Sequence, residues 1–304
     1  MFKPMVCHGL NFIINGNLLA FFLTNEKMKT ILFPTDFSTN ALHAAQYAGM
    51  IAKGMNANVF LLNVYSIPTI SEYQLPNEIE KFINLNKSFA SDNLREFTVK
   101  FIEKTGLSQD RIKQRIEYGY IADKILDTAR EIKADMIVMG TKGASNILDK
   151  WLGTNAGNVM KTAECPVWII PQNATIEYPE KIMYAADFQE DELLATNKIM
   201  TIAQTFGSVC QVVHIHDYFE MNVAHHLEDT VHQLKEKFGK EYFSVTNLNR
   251  ANIIEGLKTY IKKHKPDVLA LAIHEKSFLS KIFFTSITEY FVQEAKMPIL
   301  TFRK

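Results

Sequence analysis

The sequence predicts an α/β protein made of two tandem doubly wound parallel-sheet domains. Three observations carry that prediction. Short apolar runs alternate with segments of helical period, the pattern that lays helices on both faces of a parallel sheet. The chain also repeats itself: residues 31–37, ILFPTDF, match 182–188, IMYAADF, at an offset of 151, and 134–167 align without gaps on 266–299 at an offset of 132. Finally, 304 residues are enough for two ordinary domains, each with its own core.

Taken in order, 30–33 is an apolar strand stopped by Pro34, Thr35 and Asp36. Residues 38–53 then carry helical spacing, with Ala41, Ala44, Ala45, Ala48, Ile51 and Ala52 on one face. Small residues there let a helix approach a sheet closely. A second strand is expected over 59–65 and a long helix over 77–105, where Gly106 supplies the stop. A third strand over 111–117 and a helix over 121–133 lead to a fourth strand, 136–139. A helix from Thr154 to about Ala163, with Thr154 as its N-cap, precedes a final strand over 167–170. Right-handed crossovers between such strands place ligands beyond their carboxyl ends, where strand order reverses. Asp36, Val64 and Gly140 all fall at such ends.

The repeat extends through residues 61–64 on 212–215, and the Cys165-Pro166-Val167 run falls on Met297-Pro298-Ile299. The change of offset, from 151 to 132, makes the second copy 19 residues shorter between its second strand and third helix. Residues 171–179 form the linker. The domains are therefore expected at 28–173 and 178–304. Residues 1–27 read as a poorly ordered extension: their apolar run, 18–23, is too short for a bilayer, and no small-residue cleavage site follows cleanly.

Lys plus Arg equals Asp plus Glu at 33 each, so charge gives no case for nucleic acid or an anionic membrane as partner. Cys7, Cys165 and Cys210 show neither metal spacing nor a disulfide framework, which suits a reducing, cytoplasmic compartment.

The stretch after the fourth strand carries the chemistry. Gly140 ends that strand, Gly143 follows after two residues, and Gly153-Thr154 after nine more. Glycines let backbone approach a ligand, and a helix start offers unpaired N–H groups and a positive dipole end, a combination that suits phosphates. Any one of these glycines alone would serve a turn. Their joint spacing resembles the ATP-binding motif of the universal stress protein family. It lacks the Gly-Lys-Ser/Thr end of the nucleotide-binding P-loop and differs from the dinucleotide fingerprint. The resemblance covers nearly all of 28–304, including Pro34-x-Asp36 and the element order.

That resemblance implies a Rossmann-like fold whose two copies form an internal pseudo-dimer, with room for a further homodimer. The apolar final strands 167–170 and 299–302 each lie at a sheet edge, and exposed edges invite pairing, so the halves are expected to join there. It implies that Pro34 and Asp36 hold the adenine–ribose end of ATP and that Val64 and Met139 pack on the base. Gly140, Lys142, Gly143, Gly153, Thr154 and Asn155 would hold the phosphates, with a divalent cation such as Mg as companion. Two residues depart from the family pattern: Lys142, where His or Arg is common, and Asn155, where Val is usual. Read singly, Asp36 is also a natural helix N-cap, Val64 and Met139 are ordinary core residues, and Lys142 is a solvated loop lysine.

The second copy loses the motif. Gly140, Gly143 and Gly153 align with Ala272, Glu275 and Thr285, and Pro34 with Ala185, although Asp187 matches Asp36. His216 and His274 follow strand ends near Asp187, and His225, Asp229 and His232 share a helix face; surface histidines explain both patterns better than a metal site, and no metal ligands are assigned. The expected function is that of an ATP-binding stress-response regulator with an unidentified protein partner. A slow ATPase using Asp36 or a neighbouring carboxylate to orient water, and a nucleotide-independent interaction module, are the alternatives. No Ser-His-Asp set or carboxylate pair marks a catalytic centre.

Overall fold

A computed structural model of the chain describes residues 30–66, 76–141, 154–186, 192–216, 224–238, 242–249, 252–273, 290–291 and 297–304. The expectations for 1–27, Lys142, Gly143, Gly153, Asp187, His274, Glu275 and Thr285 lie outside these residues. The first half runs β1 (Thr30–Pro34), α1 (Thr39–Met55), β2 (Asn58–Tyr65), α2 (Pro76–Thr105), β3 (Ile112–Tyr118), α3 (Ile121–Glu131), β4 (Met136–Gly140), α4 (Thr154–Thr162) and β5 (Val167–Ile170). The second half runs β6 (Lys181–Ala186), α5 (Glu192–Phe206), β7 (Val209–His216), α6 (Ala224–Phe238), β8 (Phe243–Asn249), α7 (Ile253–His264), β9 (Val268–Ile273) and β10 (Ile299–Arg303).

All ten strands form one sheet in the order β3-β2-β1-β4-β5-β10-β9-β6-β7-β8. Within each half the strands are parallel. The halves meet where β5 and β10 pair antiparallel, with Leu300 opposite Trp168. The internal pairing expected of the two final strands is thus present. Trp168 is fully buried there, its ring 5.7 Å from that of Tyr47 on α1 and 5.5 Å from that of Phe206 on α5. One aromatic side chain therefore ties together elements of both halves.

Alternation along the strands feeds two cores. Ile31 and Phe33 enter the one beneath α1, α2, α5 and α6; Leu32 enters the one beneath α3, α4 and α7. The alanine face expected on α1 is buried, which lets the helix lie close on β4 and β1. Fifteen of the 19 residues missing from the second copy come from a single element: α2 has 30 residues and α6 has 15. Both copies keep the same pin at the amino ends of their strands. Asp135 accepts from the Thr30 N–H at 2.8 Å, and Asp267 accepts from the Lys181 N–H at 2.8 Å. The linker docks on α1: the His43 ring meets the Ala174 carbonyl at 2.9 Å, and the Tyr178 hydroxyl donates to the Met50 carbonyl at 2.5 Å.

Two boundaries differ from expectation. Helix α3 stops at Glu131, followed by Lys133 in the left-handed region at φ 50°. Thr154 is helical, whereas an N-cap would stand just outside the helix. No helix among the described residues is long and apolar enough to cross a membrane. Burial pushes the Cys165 and Cys210 thiols up to about 12, so both stay protonated near neutral pH.

Candidate functional site

Strand order reverses between β1 and β4, which pair side by side through Ile31–Met136 and Leu32–Ile137. From β1 the chain leaves to α1 on one face; α4, which follows β4 in the chain, packs on the opposite face. Divergent connections of this kind open a crevice above the carboxyl ends of the two strands.

The β1 side of the crevice is a tightly specified turn. Thr35 is buried, and its N–H donates to the Leu62 carbonyl at 2.8 Å. The buried Asn63 side chain donates from Nδ2 to the Thr35 carbonyl at 2.8 Å. The Thr35 hydroxyl in turn accepts from the Phe37 N–H at 3.0 Å, and Phe37 takes a left-handed φ of 66°. Held from both sides, this turn projects Asp36, which is exposed at the rim. Its Oδ1 accepts from the Ser38 N–H at 3.1 Å, a local turn that fixes the carboxylate. The helix cap is Ser38, whose Oγ accepts from the Ala41 N–H at 3.1 Å. The N-cap role considered for Asp36 therefore belongs to Ser38, because Asp36 lies two residues before the cap position and accepts from Ser38 itself.

Neighbouring strands complete the crevice. Pro34 stands opposite Leu62, which puts Val64, half-buried, just beyond the end of β1. Met139 is buried in the same core layer, and Gly140 ends β4 opposite Ile170. A methyl group added at Gly140 would meet the Asn40 carbonyl oxygen at 3.5 Å and the Ala44 Cβ at 3.7 Å, ordinary contacts, and its φ is not positive. The described residues therefore leave room for a side chain here. Ala272, the aligned residue of β9, is one. Thr154 and Asn155 form the start of α4, where free N–H groups and the dipole favour an anion by about 0.3–1 kcal/mol in exposed settings.

Beside Val64, the Tyr65 ring packs at a tilt of 43° against Tyr118, with ring centres 5.6 Å apart. Burial, then Tyr118 and Glu117, raise the Tyr65 phenol above its ordinary value, so it remains a neutral donor. Asn63 was not singled out from sequence; its signal was an amide within an otherwise apolar strand. Its counterpart at offset 151 is His214, buried, whose Nδ1 lies 2.9 Å from the Ala186 carbonyl. A carbonyl only accepts, so that nitrogen carries the proton.

Comparison with known proteins matches the model of the universal stress protein family to residues 27–171 and again to 179–303. A universal stress protein of Methanocaldococcus jannaschii is 32% identical over 142 residues, covering 47% of this chain and 81% of that protein. Universal stress protein G of Escherichia coli O157:H7 is 27% identical over 145 residues, 47% of this chain and 98% of its own. The crystal structure of a universal stress protein from Archaeoglobus fulgidus superposes with a TM-score of 0.66 at 15% identity, covering 91% of this chain and 97% of that one, a likeness of fold.

Proposed function

The chain belongs to the universal stress protein family, and on that premise we propose that its first half binds ATP as a regulatory ligand. Asp36 receives the ribose hydroxyls, and Pro34, Val64 and Met139 form the apolar seat of the adenine. Backbone N–H groups of Gly140, Gly143, Gly153, Thr154 and Asn155 hold the phosphates, with the Thr154 hydroxyl and Lys142 assisting. A divalent cation such as Mg would ride on the phosphates. The chemistry required is recognition: a fixed carboxylate for two hydroxyls, an apolar slot for a flat base, and N–H donors for oxyanions. Occupancy of this crevice would change the surface presented to a protein partner.

One observation carries the reading. Among the described residues nothing demands glycine at Gly140, since a methyl group meets only ordinary contacts with them and φ is not positive. A residue without a side chain at the mouth of a switch-point crevice is explained by close approach of a ligand to the backbone. Gly140→Ala tests this directly. Thermal unfolding is expected to change by less than about 1 kcal/mol, while ATP affinity falls at least about tenfold as the methyl displaces the ligand. Undiminished ATP binding in Gly140→Ala would contradict the reading. ATP consumption should stay far below ordinary enzymatic turnover, about 1–1000 per second.

A further inference from the structure

The two edges of the ten-stranded sheet are built differently. At one edge, β3 carries Lys113, Arg115 and Glu117, and Arg115 is ion-paired to Glu117 and, at 2.8 Å, to Glu131. At the other edge, β8 reads Phe-Ser-Val-Thr-Asn-Leu-Asn, with no charge in seven residues. Charged side chains are the usual guard of an exposed edge, and β8 lacks them. Tyr242, just before it, is 46% exposed.

The direction of the backbone groups follows from one bond. The Cys210 N–H donates to the Tyr242 carbonyl at 2.9 Å. In a parallel ladder the groups alternate, so Ser244, Thr246 and Leu248 turn theirs toward β7. Phe243, Val245, Asn247 and Asn249 turn theirs outward, where no strand pairs with them among the described residues.

We propose that β8 pairs antiparallel with β8 of a second copy of this chain, about a twofold axis at Thr246. That register is self-complementary. Val245 stands opposite Asn247 and Phe243 opposite Asn249, all four with outward groups, which gives hydrogen-bonded pairs throughout. Thr246 meets its own copy at the close, non-hydrogen-bonded position, a favourable Thr–Thr pair. The same operation on β3 fails. There the Gly119 N–H bonds the Tyr65 carbonyl at 3.1 Å, so outward groups belong to Ile112, Gln114, Ile116 and Tyr118. Its twofold register sets Arg115 against Arg115, like charges face to face. The chain already joins its own halves through an antiparallel strand pair, β5 with β10, and the contact between copies repeats that device.

Sedimentation equilibrium of the full chain over a wide concentration range tests this. The expected mass rises toward twice 34.8 kDa. Asn247→Pro deletes an outward N–H in each copy without touching the ladder to β7, and Thr246→Lys places two ammonium groups on the axis. Each should weaken the dimer at least about tenfold, while Gln114→Pro on β3 leaves it unchanged. Backbone amides of Val245 and Asn247 should exchange more slowly as protein concentration rises. A monomer at every concentration, a dimer untouched by both β8 variants, or protection of these amides independent of concentration would overturn the proposal.

Discussion

The two halves share strand order and sheet, yet fill the space between the first strand and the first helix differently. In the first half, Phe33 and Ala41 form an apolar wall under the start of α1, and a hydrogen-bonded turn presents Asp36 at the surface. At the matching positions of the second half stand Tyr184 and Glu192. The Tyr184 hydroxyl donates to Glu192 Oε1 at 2.6 Å, and the Lys304 ammonium reaches Glu192 Oε2 at 2.7 Å. Both charged side chains are almost fully buried, 5% and 4% exposed. Beneath the first helix, one copy thus packs apolar side chains where the other locks a hydroxyl, a carboxylate and an ammonium into an internal network. The difference teaches that the same α/β frame carries unlike chemistry beneath the first helix of each copy: two aligned positions are apolar in one and a hydroxyl and a carboxylate in the other.

The largest effect that would sharpen this comparison comes from the lock. Glu192→Ala leaves the Lys304 ammonium buried without its carboxylate, a loss of about 3–5 kcal/mol. Urea unfolding should show that drop, while equilibrium ATP binding by the first half is unchanged. A loss below about 1 kcal/mol would mean that the network contributes little to stability.

A smaller effect separates two side chains that do the same structural task. Asn63 and His214 each hold the carbonyl that precedes the aligned aspartates, Thr35 in one copy and Ala186 in the other. Replacing either by Ala strands a buried carbonyl, at about 1–3 kcal/mol. Only Asn63→Ala should also weaken ATP, because only its turn presents Asp36 to the crevice. Calorimetric titration of both variants checks this. Equal effects on ATP would break the comparison, since the halves would then be coupled or both occupied.

Much of the frame was legible in the sequence. The alanine face of α1, the apolar runs of β1, β4 and β5 and the repeat offsets all report burial and register, which the periodicity of side chains encodes directly. The offsets of 151 and 132 even locate the shortened element, although not that a single helix, α6, absorbs most of it. The turn after β1 was less legible. Asp36 and Ser38 are both good caps, and only the backbone path shows that Ser38 reaches the helix N–H while Asp36 closes the turn before it. Asn63 and the Tyr184–Glu192–Lys304 network were not foreseen, because their meaning lies in partners 28, 8 and 112 residues away. Such polar contacts have no period to read.

Titration calorimetry with ATP on the full chain, beside Gly143→Glu and Glu275→Gly, bears most directly on the account. Gly143→Glu copies the second half into the first and sets a carboxylate among the phosphates; Glu275→Gly removes that carboxylate from a copy that still carries Ala272 and Thr285 in place of glycines. The account predicts one ATP per chain, heat lost in Gly143→Glu through clash and like-charge repulsion, and one site unchanged in Glu275→Gly. Two equivalent sites per chain, or full binding by Gly143→Glu, would contradict it.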